Sequence, residues 1–258
     1  MVIKAFPVLG LVAGLLSPTA SSFALPLQTP LNSQPQMQIS LEFPPSPNRE
    51  GAQSSAGGGR RGQDLENRVC TTGDIPLTAL KPNEDEAEIT VSAHPDFFIF
   101  VPENTAEEAE FVIVNEDNDE VYLKTFDLSK EAGVVQVSLP KTVMLEVGQT
   151  YKWQFVVWCS SDDPSQIEFV EGEIQRTELS EDLETQINAT DDPLEQAQLF
   201  ATEGIWQDTV MIVAKLRESN QAEWEQLLTS VGLDAMIASA PLKPCCIEEE
   251  ATSSELEN

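Results

Sequence analysis

Apolar residues in the middle of the chain recur in short runs broken by turn-forming residues, the cadence of a β-rich domain. Between Cys70 and Leu179 the runs predict strands over residues 76–80, 87–92, 96–101, 109–115, 120–126, 134–139, 150–159 and 167–176. Glu116-Asp117-Asn118-Asp119 supplies a hairpin turn, because Asn and Asp tolerate the left-handed backbone. In the strand after Gly148, alternation puts Tyr151, Trp153, Phe155, Val157 and Cys159 on the core face, and Lys152, Gln154, Val156 and Trp158 on the other. Tyr151 stands where the tyrosine corner of an immunoglobulin-like sandwich returns its hydroxyl to nearby backbone. Residues 97–101 and 111–114 are apolar on both faces, whereas a sheet with one wet face should alternate. Both strands therefore require a cover over their outer face, and Trp158 is expected to lie beneath it with Trp206 or Trp224.

From about Ser180 the period changes. Leu183 and Ile187 form an i, i+4 pair behind a Ser cap. Asp192-Pro193-Leu194-Glu195 reads as a capping box with Pro at the first helical position, closed by Gly204. Residues 205–218 carry Trp206, Val210, Val213 and Ala214 on one stripe. Trp224, Leu227, Leu228 and Val231 repeat at helical spacing before Gly232. The fold expected is mainly β with appended α: an immunoglobulin-like antiparallel β-sandwich over 70–179, then short helices over 180–246 packing on the sheet.

The two ends read differently. Residues 1–24 have the form of a signal peptide: Lys4, the apolar run FPVLGLVAGLL, then small residues at Ser22 and Ala24. That run is too short to span a bilayer, so no membrane-spanning segment is expected in the mature chain. Residues 25–69, rich in Pro, Ser, Gln and Gly, read as a disordered tether, and 247–258 as an acidic disordered tail. The cluster Gly57-Gly58-Gly59-Arg60-Arg61-Gly62 lacks the spacing and the Lys-Ser/Thr ending of a phosphate loop.

Charge narrows the partners. With 14 Lys+Arg against 44 Asp+Glu among 258 residues, a net charge of −30 opposes binding to nucleic acid or anionic lipid. Candidate chemistry is sparse. His94 is the single imidazole and precedes Pro95, which makes it an extended strand-edge residue. No nucleophile elbow and no zinc spacing accompany it. Glu168, Glu171 and Glu173 share one strand and read as a solvated charged face rather than a hydrolytic pair. Residues 115–120 (NEDNDE) cluster oxygens without the Gly and distal Glu of a helix-loop-helix calcium site. Asn188-Ala189-Thr190 matches a glycosylation acceptor pattern. No catalytic residue, metal site or cofactor is assigned.

PLTAL (76–80), PDFFIFVP (95–102), AEFVIVNEDNDEVY (109–122), LEVGQTYKWQFVVWC (145–159), VEGEIQR (170–176), GIWQD (204–208), EWEQLLTSVGL (223–233) and PLKPC (241–245) occur in this order. Together they resemble the cyanobacterial domain-of-unknown-function family 928. The resemblance implies an exported cyanobacterial envelope protein and carries no activity or catalytic residues.

The expected function is a non-catalytic, exported protein-interaction or structural module, with another envelope protein as partner and the oligomeric state open. The alternatives are a carbohydrate-active or other hydrolytic envelope enzyme, which needs two convergent carboxylates in a pocket, and a calcium-responsive surface protein. In an oxidising compartment most of the four Cys should pair. Cys70–Cys159 is the preferred bond, Cys159–Cys245 the alternative, and a bond between the adjacent Cys245 and Cys246 is set aside as strained.

Overall fold

In chain order the elements of the computed structural model are β1 (Thr71–Thr72), β2 (Thr78–Ala79), β3 (Glu88–Thr90), β4 (Asp96–Val101), β5 (Glu103–Asn104), β6 (Glu108–Val114), β7 (Glu120–Asp127), β8 (Gly133–Ser138), β9 (Thr150–Trp158) and β10 (Ile167–Arg176). Five helices follow, α1 (Glu181–Asn188), α2 (Pro193–Thr202), α3 (Trp206–Leu216), α4 (Gln221–Ser230) and α5 (Ala235–Ser239), and the strand β11 (Leu242–Cys245) comes last. The structure describes residues 41–44, 68–82, 87–106 and 108–245. The expected signal peptide, most of the tether, the Gly57–Gly62 cluster, Cys246 and the acidic tail lie outside the described residues.

Two sheets face each other. One has the order β3-β10-β9-β6-β7 and the other β11-β8-β4-β2, while β1 pairs separately with β5. All pairs are antiparallel except β3 with β10 and β11 with β8. The core between the sheets takes the inward residues of alternating strands: Phe97, Ile99 and Val101 from β4, Phe111 and Ile113 from β6, Trp153 and Phe155 from β9, and Val170 and Ile174 from β10. Phe97 meets Phe111 at 4.8 Å between ring centroids and Trp153 at 5.5 Å. These offset and tilted contacts are the favoured ring geometries.

The doubly apolar pattern has two different outcomes. In β4 all six residues are buried, because the helices lie on the outer face of that strand. Phe98, Phe100 and Val134 pack there against Trp206, Val210, Val213, Trp224, Leu227 and Leu228 in a second core. In β6 the outward Val112 and Val114 are only half-buried, so the cover expected over residues 111–114 is not formed by the helices. Trp158 fails with it. It sits half-buried on the outer face of β9, paired with Ile167 and Glu108, on the sheet opposite the one the helical layer covers. Trp206 and Trp224 are fully buried beneath the helices without it. Alternation placed Trp158 on the correct face of its strand, but could not identify which sheet the helices would cover.

Helix boundaries follow local chemistry. Ser180 accepts the Leu183 N–H and Asp192 the Leu194 N–H, each satisfying an amide that the first turn leaves unpaired. The expected capping box is not reciprocal, since Glu195 takes the Thr190 hydroxyl while Thr190 in turn receives the Asp192 N–H. Gly204 and Gly232 end α2 and α4 at positive φ, 75° and 73°, where only glycine is free of a Cβ penalty. Beyond α5 the chain returns to the sandwich. β11 adds to the edge of the four-stranded sheet beside β8, so the helices form an insertion before a final strand rather than a terminal layer running to 246. Pro244 hid that strand, yet an edge position tolerates a missing N–H.

Candidate functional site

Two buried carboxyls, Glu88 and Asp208, lie where α3 meets β3. α3 begins at GIWQD. Its first turn must bury Trp206 under the helical layer, which carries Gln207, Asp208 and Thr209 into the interior with it. The Trp206 indole N–H donates to the Leu80 carbonyl at 3.0 Å, fixing the helix to the segment after β2. One residue on, the Gln207 amide donates to Glu88 Oε2 at 2.7 Å, and the Trp153 indole donates to Glu88 Oε1 at 3.2 Å. Asp208 Oδ2 accepts the Thr90 hydroxyl at 2.8 Å and the Val91 N–H at 3.0 Å. Arg176 closes the corner, donating from Nη1 to the Leu145 carbonyl at 2.6 Å and from Nε to the Val91 carbonyl at 3.3 Å.

Both carboxyls are held above their ordinary range. Burial pushes Glu88 up to about 7, against the opposing pull of the Lys81 charge and the Trp153 N–H. Burial also raises Asp208, opposed by its bonds to Val91 and Thr90, by its own backbone N–H and by the Arg176 charge. A carboxyl poised near neutrality inside a protein is a candidate general acid. Here, however, Glu88 is buried and both its oxygens face protein donors, so no substrate atom has access to it. The seam holds α3 on the sandwich.

Gly172 on β10 makes the seam possible. A Cβ there would lie 2.7 Å from Trp153 Cζ2 and 2.9 Å from Glu88 Oε1, so the indole crosses β10 only because the position is bare. Gly172→Ala is expected to destabilise the protein by about 1–3 kcal/mol through overpacking. A urea midpoint equal to wild type would show that the indole and carboxyl have other room.

A third buried acidic side chain anchors the entry to the sandwich. Glu168, expected on a solvated face, is instead 0% exposed. Its parity in β10 points it inward, beside Val170 and opposite Val157. Oε1 accepts three consecutive backbone N–H groups, from Val69, Cys70 and Thr71, at 2.7–2.9 Å, and Oε2 accepts the Thr71 hydroxyl at 2.6 Å. Glu171 and Glu173 are the outward residues, and Gln154 donates to Glu171. Beside Glu168 the sulfurs of Cys70 and Cys159 are bonded to each other, with Cα atoms 5.4 Å apart. Ligand atoms of Cys70, Cys159 and Glu168 lie within 4.8 Å of one another, but the disulfide and the four hydrogen bonds already occupy them. Cys245 is disulfide-bonded too. Because Cys159 is bonded to Cys70, the Cys159–Cys245 alternative is not formed; the set-aside bond to Cys246 lies outside the described residues.

The remaining candidates find structural partners. The Tyr151 hydroxyl accepts the Glu146 N–H at 2.9 Å, a return to nearby backbone of the expected kind. Trp224 donates to the Ala238 carbonyl at 3.2 Å. His94 Nδ1 lies 2.7 Å from the Val143 carbonyl, which fixes the proton on that nitrogen. In the 115–120 loop, Asn115 Oδ1 accepts the N–H groups of Asp117 and Asp119, and Asn118 takes φ 62°. That oxygen builds the turn. A surface hollow of about 490 Å³ between α1 and α2 is lined by Gln186, Ala189, Thr190, Glu195, Gln198 and Leu199. Its lining contains one carboxylate, where glycoside hydrolysis needs two.

Sequence reading missed one contact altogether. Residues 41–44 (LEFP) fall inside the expected tether, yet Leu41 and Phe43 are buried against the helices. The signal was there in the alternation Leu41-Glu42-Phe43, but three residues amid Pro, Ser and Gln are too few to stand out.

No curated protein matches the chain. Residues 56–242, which include β1 to β10, the acidic seam and all five helices, match the family described as Domain of Unknown Function (DUF928), and the chain belongs to that family.

Proposed function

We propose that this protein is a non-catalytic interaction module exported to the cell envelope. The observation that carries the reading is the fate of the buried carboxylates. Glu88, Asp208 and Glu168 are each bonded to protein donors that hold one element on another, and both oxygens of Glu88 and Glu168 and the Oδ2 of Asp208 are engaged in this way. The Cys70–Cys159 bond suits an oxidising compartment, and among the described residues no helix is long and apolar enough to cross a membrane. The pronounced negative charge favours partners that are neutral or basic proteins over nucleic acid.

Fractionation of cells combined with N-terminal sequencing and in-place crosslinking tests the proposal. Protein in the envelope fraction beginning at or near Leu25, crosslinked to a protein partner, is the expected result. Intact Met1 in the cytoplasmic fraction overturns the location, and an uncrosslinked monomer in the envelope overturns the interaction.

A further inference from the structure

The segment 41–44 is bound in the manner of a peptide ligand. Its backbone is read by side chains one helical turn apart on α4: the Leu41 N–H donates to Gln226 Oε1 at 3.2 Å, and the Phe43 N–H donates to Ser230 Oγ at 3.0 Å. The spacing is a physical match. Alternate residues of an extended chain repeat every ~6.6 Å, and i, i+4 positions on a helix are separated by ~6 Å of rise. Ser230 is oriented for the task, because its own hydroxyl proton goes to the Leu227 carbonyl at 2.7 Å. The two alternate side chains enter the helical core. Leu41 is 0% exposed, and Phe43 sets its ring at right angles to Trp206, 5.1 Å between centroids. Between them Glu42 is exposed, and its carboxylate accepts the Gln226 amide at 3.3 Å. Two apolar anchors, an acidic middle and two backbone contacts are thus specified by one face of α4 and one residue of α3.

The groove and its occupant differ in standing. Trp206, Gln226 and Ser230 lie within the family's matched region, residues 56–242, and the docked segment lies before it. Residues 45–67 separate Pro44 from the next described residue, Arg68. We propose that the groove of α3 and α4 is a receptor for extended Leu-x-Phe segments with an acidic or neutral middle residue. Residues 41–44 occupy it in cis, and a partner protein presenting the same pattern displaces them. Two buried side chains and a few hydrogen bonds make a modest ligand, and covalent linkage raises its effective concentration to the order of millimolar. A partner therefore competes by a better segment or by being tethered nearby. The inference rests on the interaction-module reading for the nature of the partner alone.

The probe is a synthetic, labelled peptide of residues 38–47, QISLEFPPSP. It is titrated into the full chain and into the full-chain double variant Leu41→Ser/Phe43→Ser, whose groove is vacated. The vacated variant is expected to bind with Kd on the order of 10–1000 µM, wild type at least about tenfold more weakly. A peptide with Ala at both anchor positions should bind neither chain, and Gln226→Ala in the vacated variant should weaken binding about fivefold. A folded vacated variant that binds no peptide, or wild type binding equally well, overturns the proposal. Concentration-dependent dimers of wild type that vanish in the double variant overturn it also, in favour of segment exchange between copies.

If the double variant does not fold, wild type cut at a protease site inserted among residues 55–59 decides the matter. An N-terminal fragment that dissociates on dilution supports a ligand, and one retained until global unfolding shows a core element. Loss of this site would leave the envelope crosslinking result untouched, so the two proposals fail separately.

Discussion

Replacing both Cys70 and Cys159 by serine is expected to lower the unfolding free energy by about 4–5 kcal/mol, the largest effect of any change considered for this chain. The bond closes a loop with a sequence separation of 89, and in the chain-entropy description the stabilisation rises with the logarithm of loop length. Most of the effect thus lies in the unfolded chain, and the native contacts around the bond should survive its loss. They are independent of the sulfurs. Glu168 holds the N–H groups of residues 69–71, Cys70 gives its carbonyl to the Thr105 N–H, and Thr71 and Thr72 pair with Asn104 and Glu103. The expected result is a folded double variant with a urea midpoint well below wild type and a somewhat steeper slope, because the released unfolded chain exposes more surface. A midpoint within error of the disulfide-bonded protein would show that the unfolded chain is already constrained there. Loss of native near-ultraviolet circular dichroism would show that the bond, and not Glu168, positions the segment.

How much of this was readable in the chain depends on the range of the interaction concerned. Alternation over residues 150–159 determined the inward faces of Tyr151, Trp153, Phe155 and Val157, because a strand's period is local. It also pointed Cys159 toward Cys70. Helix starts at Ser180 and Asp192 were visible for the same reason, each cap reaching only two or three residues ahead. What failed needed to know which sheet lay beneath which helix. Residues 97–101 and 111–114 look alike in sequence, yet only the first belongs to the sheet the helices cover, and Trp158 was misplaced with the second. The acidic seam was invisible for a further reason. Glu88 and Gln207 are 119 residues apart, and among 44 acidic residues nothing local separates a buried carboxyl from a solvated one. Gly172 offered a hint, as a bare position in an otherwise well-filled strand.

Stability should fall as the pH rises from about 4.5 to about 7, and Glu88 should be the chief cause. Its carboxyl is held up to about 7 in the native protein against an ordinary 4.5. Between those values the native state keeps a proton that the unfolded chain has released, so raising the pH favours unfolding. The contribution is fully present below about 4.5 and lost once the pH passes about 7, and it amounts to about 3 kcal/mol. Asp208, also raised by burial, acts in the same direction. Both oppose the usual acid denaturation of a protein this rich in carboxylates. Glu88→Gln isolates the effect, since a neutral amide fits the same bonds. Its carbonyl can keep the Trp153 indole N–H, and its amide nitrogen can face Gln207, whose own amide turns to offer oxygen. The variant should match wild type in urea midpoint near pH 4.5 and exceed it near pH 8, the gap opening with a midpoint between the two carboxyl values. A gap that stays constant from pH 4.5 to 8 would mean that Glu88 is ionised in the native state throughout. Lys81 would then be the group that compensates it, because it is the positive charge acting on Glu88 and is itself only 2% exposed. Lys81→Met in the wild-type background near pH 4.5 distinguishes the cases. If Glu88 is neutral in the native protein, removing the neighbouring ammonium should raise the midpoint; if Glu88 is ionised, the same change leaves a buried charge without its partner and should lower it.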